Sequence, residues 1–218
     1  MTVRSVQSAA PPEGRPDPEL DRLSAAALVT QQAPHTPMDV RSWTVEAGVL
    51  PGPVIEALAR ALAAGAGSGR PLVVAHAPYD LTLLDRELRR HRHTPLAGYL
   101  GTRSLCVLDP VLLDRRLAAT AAPAARRDLT QLCDGYGITP APDAAAPPED
   151  EAIAALALAR ALGRHFAPQL AGLTPRTLHT LQAIWYASGA RGHAAWHTPC
   201  GAPGGVDPAW PLRPVVAA

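Results

Sequence analysis

A chain of 218 residues, 47% of them hydrophobic, is long enough to bury roughly 70% of the surface its unfolded form exposes, so a real core is expected. A net charge of +1 argues against a protein that grips nucleic acid through a strongly basic surface, although the positive side chains are all Arg or His and Arg suits local phosphate contacts. Three widely spaced cysteines exclude a disulfide framework and a zinc cluster, and Cys106 and Cys133 are expected as core thiols. No stretch approaches the ~18 consecutive apolar residues of a membrane span, and the first residues lack a signal-peptide core. The expectation is a cytoplasmic protein with no membrane partner.

In chain order, VRSVQSA (3 to 9), LSAAALVT (23 to 30) and VRSWTVEAG (40 to 48) read as strands of an antiparallel unit. PVIEALARALAAG then shows helical spacing at Ile55, Leu58 and Leu62, closed by Gly65. PLVVA (71 to 75) is a continuous apolar run suited to a strand covered on both faces. A helix follows it directly, with Leu81, Leu84 and Leu88 on one face and Asp85, Arg86, Arg89 and Arg90 elsewhere. SLCVLDP (104 to 110) is a second apolar run ending in an acid and a proline, and VLLDRRL after it reads as a short helix. In RRDLTQLCDGYGI, Asp128 is placed to cap a helix with Gln131 three residues on, and Gly135 or Gly137 ends it. A turn-rich connection leads to EAIAALALARAL (151 to 162), with Ile153, Leu156 and Leu162 on its buried side. PRTLHTLQAIWYASG is one more helix, and a Pro/Gly-rich irregular tail closes the chain.

Strands alternating with crossover helices imply an α/β fold, a mixed sheet flanked by helices, in an order compatible with a five-stranded ribonuclease H-like arrangement. The expected division is one α/β domain over 1–170 and a C-terminal helix and tail over 171–218 packed onto it.

The turn AHAPYD puts His76 and Asp80 just past the carboxyl end of a buried strand, where open α/β sheets place ligands. The alternative for Asp80 is a helix N-cap, and for His76 an ordinary polar strand end. The cationic run ELRRHRH (87 to 93) suits a solvated helix C-terminus, where positive charge complements the dipole, the alternative being a phosphate-binding patch. In GHAAWH, His193 and His197 stand four apart, a spacing that could hold zinc on a helix, but no acidic partner follows. Trp185, Tyr186, Trp196 and Trp210 are expected to pack the C-terminal segment onto the core.

VVAHAPYDLTLLDRELRRH resembles the second motif of the DEDDh 3'-5' exonucleases, the family of DNA polymerase III epsilon subunits. That motif runs from an apolar strand through a turn and an aromatic residue to a metal-binding Asp and a Leu/Glu/Arg-rich helix. Tyr79 and Asp80 match its aromatic and its acid, although the turn is one residue shorter here. SLCVLDPVLLDRRL, RRDLTQLCDGYGI and EAIAALALARAL keep the family's order of later segments, and the resemblance covers most of residues 17 to 215.

The family's chemistry, as the resemblance implies it, uses four carboxylates to hold two divalent cations about 4 Å apart and a histidine as general base for the attacking water. Asp80 and Glu151 are then the catalytic candidates, Asp80, Glu151 and Glu13 the metal candidates, and His76 and Tyr79 the substrate-binding candidates. The first motif, Asp-x-Glu-Thr-Thr-Gly, has only AAPPEG as its counterpart, with Ala9 and Pro11 where the acids belong. Glu13 or Asp17 could reach the site in a shifted register. In the third motif Glu151 aligns with the acid and Ala146 with the histidine; Asp150 is an alternative acid that also leaves an alanine for the histidine. An acidic helix N-terminus stabilised by the macrodipole explains these acids equally well. The connection before PVIEALARAL is only VLPG, too short for the family's substrate-contacting turn.

Two expectations follow. One is a catalytically impaired exonuclease-like domain that acts as a nucleic-acid or protein binding module and needs no cofactor. The other is an active exonuclease that uses Mg²⁺ or Mn²⁺ on single-stranded DNA or RNA 3' ends.

Overall fold

A computed structural model describes residues 28–30, 39–41, 51–118, 127–139, 148–197 and 207–214. Two short strands, β1 (Leu28–Thr30) and β2 (Asp39–Arg41), pair antiparallel with Val29 opposite Val40. Helix α1 (Pro51–Gly67) leads to β3 (Leu72–Val73), α2 (Ala77–Arg92), α3 (Leu96–Leu100) and β4 (Val107–Leu108). Four further α-helices are α4 (Pro110–Leu117), α5 (Leu129–Gly135), α6 (Pro148–His165) and α7 (Ala167–Leu170), and α8 (Pro175–His197) is the longest.

The five-stranded mixed sheet expected from the sequence is not what forms. The described residues are mostly helical, and β3 and β4 make a parallel pair of two residues each, Leu72 opposite Val107 and Val73 opposite Leu108, separate from the β1–β2 pair. The expected strand at 3 to 9 lies outside the described residues. Two local causes keep the parallel sheet small. The apolar runs are cut short by helix starts: Val74 still donates to the Leu108 carbonyl at 3.0 Å, then His76 turns the chain into α2, while Asp109 and Pro110 turn β4 into α4. The outer edge of β4 is also already satisfied, because α8 supplies the partners that another strand would have supplied. His179 Nδ1 accepts the Val107 N–H at 3.0 Å, Gln182 Oε1 accepts the Asp109 N–H at 2.8 Å, and Gln182 Nε2 donates to the Val107 carbonyl at 3.4 Å. Gln182 is fully buried, so these bonds replace water that cannot reach the edge.

The pleat divides the apolar residues between two layers. Leu72 and Val74 join Ile55, Leu58 and Leu62 of α1 and Leu81, Leu84 and Leu88 of α2 in one buried cluster. Val73 faces the other way, onto Ala155 and Leu156 of α6. A second large cluster fills the space between α4, α5 and α6 with Val111, Leu113, Leu132, Leu158, Leu162 and Phe166. Each fully buried leucine of this kind contributes about 1.5–3 kcal/mol of transfer free energy.

Several local expectations hold. Asp128 accepts the Gln131 N–H at 2.8 Å and the Gln131 side chain accepts the Asp128 N–H at 3.2 Å, a reciprocal cap, and Gly137 takes the left-handed conformation just past α5. Cys106 and Cys133 are buried free thiols, and burial pushes both pKa values up. Trp185 packs against the α4–α5–α6 cluster, and Trp210 against the α1–α2 cluster; the side chain of Trp196 lies outside the described residues.

Others are corrected. Ile153, expected inside, is 48% exposed, and Ala152, Ala154 and Ala155 are buried around it instead. Asp85 and Glu87, on the polar side of the sequence pattern, are buried and paired, Asp85 accepting from Arg89 at 2.7 Å and from the Leu96 N–H at 2.7 Å. Helix α8 runs past Gly189 and takes in positions 193 and 197, whose side chains lie outside the described residues.

Candidate functional site

The carboxyl ends of β3 and β4 point to one spot, and the turn after β3 shapes it. His76 sits there at φ 56, ψ 39, a left-handed conformation uncommon for a residue with a Cβ. It occupies the N-cap position of α2 without a side-chain capping bond. Pro78 in the first turn, with its fixed φ and missing N–H, suits the start that follows. Asp80 is not the cap: it lies in the first turn of α2, three residues after Ala77. His76 and Tyr79 are exposed, Tyr79 to 46%, and Asp80 and Glu151 are partly buried.

Glu151 arrives from α6, and the two carboxylates are close enough to repel. Burial chiefly, then the charges of Glu151 and Asp109, push the Asp80 pKa up to about 8. Burial also raises the Glu151 pKa, with His76 pulling part of the way back. Neither acid accepts a hydrogen bond from a described residue.

A third carboxylate, Asp109, lies beneath them and was read from the sequence only as the end of a strand. It is 4% exposed and fully engaged: Oδ1 accepts the N–H groups of Val111 at 3.0 Å and Leu112 at 3.2 Å, and Oδ2 accepts the Ala77 N–H at 3.1 Å. One side chain thus caps α4 and also ties down the first residue of α2. Burial raises its pKa, opposed by the charge of His76 and by these backbone donors. The Asp-Pro pair at the end of an apolar run was the available signal, since Asp at N-cap with Pro at N1 is a strong helix-start pattern. Nothing in the sequence announced the second bond, to Ala77.

The structure therefore brings Asp80, Glu151 and His76 together beside the exposed Tyr79. Asp150 is exposed on α6. Glu13, Asp17 and Ala146 lie outside the described residues. Among the described residues no group of three or more His, Cys, Asp or Glu side chains is arranged to hold a metal ion. Two cations held side by side need more carboxylate oxygens than Asp80 and Glu151 carry, and those of Asp109 are occupied by N–H groups. The described donor set does not fit the two-cation centre that the exonuclease resemblance implies, and no cation-dependent step is derived from it.

No family model matches the chain, and no curated protein or solved structure shows significant similarity to it. No helix of the described residues is long and apolar enough to cross a membrane.

Proposed function

We propose that the chain is a catalytically impaired, exonuclease-like binding module that takes the 3' end of a single-stranded nucleic acid at the turn carrying His76, Tyr79 and Asp80. The observation that carries the reading is the pairing of an exposed aromatic ring with an acid pair whose third carboxylate neighbour is committed to backbone. Tyr79 offers a face on which a terminal base can stack, a contact worth about 1–3 kcal/mol per base. His76 stands beside it as a donor to phosphate or sugar oxygens. The same grouping is poorly equipped for hydrolysis. Asp80 holds its proton to about pH 8, so at neutral pH it is a hydrogen-bond donor rather than a charged ligand. The position that aligns with the family's general base is Ala146.

The test is incubation of the purified chain with 5'-labelled single-stranded DNA and RNA in Mg²⁺ or Mn²⁺, following both retention and length. The expected result is retention of full-length strands, weakened about tenfold or more by Tyr79→Ala. Metal-dependent shortening from the 3' end that disappears in Asp80→Ala would overturn the reading and establish the active nuclease, with Asp80 and Glu151 as cation ligands.

A further inference from the structure

A second polar site lies at the opposite end of α2. Twelve residues separate Asp80 from Arg92, about 18 Å at the helical rise, so this site is remote from the acid pair. It is an open cleft of about 800 Å³ between α1, α3 and the segments flanking α3, lined by Glu56, Arg60, Arg92, Tyr99 and Arg103.

Three guanidinium groups and one carboxylate meet there, leaving two positive charges in excess. Glu56 acts as a clasp: Oε1 takes Arg60 at 2.6 Å and Oε2 takes Arg92 at 2.8 Å, holding two long cations side by side. Arg60 also lies 5.9 Å above the centre of the Tyr99 ring, which restrains it further. Arg92 is anchored a second time by donating to the Gly52 carbonyl at 3.2 Å. Across the cleft the Arg103 guanidinium has no ion-pair or hydrogen-bond partner among the described residues, and it rests on the bare backbone of Gly67, where an added Cβ would stand 3.1 Å from its Nε. Arg60 and Arg92 are held planar cations and Arg103 adds an unsatisfied fork, a set that matches the geometry of phosphate oxygens, and the prior ordering of the first two reduces the entropy lost on binding.

We propose that this cleft binds phosphate groups, with Arg103 as the primary contact and the Arg60–Glu56–Arg92 clasp as its charged wall. Phosphate chemistry has two sources, a small phosphorylated molecule or the backbone of a nucleic acid strand, and the site can be tested for each. Inorganic phosphate and pyrophosphate are titrated calorimetrically against the chain, and a circular single-stranded DNA is titrated by anisotropy. The circle has no 3' end, so its capture does not depend on the proposed role of Asp80 and Tyr79.

Arg103→Ala is expected to weaken phosphate and pyrophosphate about tenfold, the scale of a lost charge-assisted hydrogen bond. Gly67→Ala, which displaces the Arg103 guanidinium while keeping every charge, is expected to weaken them by a smaller factor. Arg115→Ala removes the same charge from an exposed position on α4 and should change neither. If the circle also binds, and its salt dependence falls by about one unit of slope in Arg103→Ala, the source is a nucleic acid backbone. Binding of phosphate and pyrophosphate without the circle assigns the cleft to a small ligand. Absence of any binding, or equal losses in Arg103→Ala and Arg115→Ala, overturns the proposal.

Discussion

Two sets of buried acids in this chain have opposite surroundings. Asp109 and Asp114 are nearly inaccessible, yet every oxygen has a donor: three N–H groups for Asp109, and for Asp114 the Arg127 guanidinium at 2.9 Å and the Tyr136 hydroxyl at 2.8 Å. The Asp114 network leaves its mark on its partner, since burial first and the bond to Asp114 second push the Tyr136 pKa up to about 12. Asp80 and Glu151 are less buried, the charge of Glu151 acts on Asp80, and neither accepts a hydrogen bond from a described residue. A carboxylate supplied with donors locks helices together, whereas one left with a like-charged neighbour must hold its proton or attract a cation. The first arrangement is architecture; the second is the kind associated with binding sites.

The contrast is broken most severely at Asp109. Asp109→Ala leaves the N–H groups of Ala77, Val111 and Leu112 without their acceptor and is expected to cost about 3 kcal/mol, a fall of roughly 6–12 °C in Tm for a chain of this size. Thermal unfolding followed by circular dichroism measures it, and a shift below about 2 °C would mean that water replaces the carboxylate.

The opposite sign is expected at Asp80. Its ordinary value is 3.8 and its folded value is about 8, so between those limits the folded chain binds one proton more than the unfolded chain. Stability therefore falls as pH rises through that window. Asp80→Asn removes the burden and should stabilise the fold at pH 8, with the gain vanishing near pH 4. Unfolding curves of both proteins at a series of pH values check it, and a variant less stable than the parent at pH 8 would show that Asp80 has a favourable partner.

The smallest effect is expected at His179, whose pKa is lowered chiefly by burial. A base with a depressed folded value contributes stability above its ordinary 6.5 that is lost as pH falls toward the folded value. Protonation also removes the Nδ1 lone pair that accepts the Val107 N–H. Acidification from pH 7 to 5 should lower stability slightly through this group, and His179→Gln should flatten that part of the pH profile.

Much of the local structure was readable in the residues, because it depends on signals within one turn of chain. The Asp128–Gln131 cap, the buried faces of α1 and α2 and the strand-turn-helix around His76 are of this kind. The sheet was not readable, because its extent is decided by groups far apart in sequence. Apolar runs such as PLVVA look alike whether they give two ladder residues or six, and what stops β4 from gaining an outer neighbour is a pair of side chains some seventy residues on, His179 and Gln182. The site was half readable. Asp80, Glu151, His76 and Tyr79 were singled out by position and pattern, but the sequence did not distinguish a capping Asp80 from a facing one, nor reveal that Asp109 is fully engaged beneath it. Of the basic cleft only Arg92 was legible, within a cationic run open to a phosphate reading; Arg60 and Arg103 come from α1 and the segment after α3, and each alone looks like solvated surface.

The grip of α8 on β4 also bears on where this chain can be cut. A strand edge stripped of its covering side chains presents bare N–H and C=O groups to any passing extended segment. A version ending before Pro175 would carry that adhesive edge in every copy, and self-association through it would compete with folding as a smaller unit.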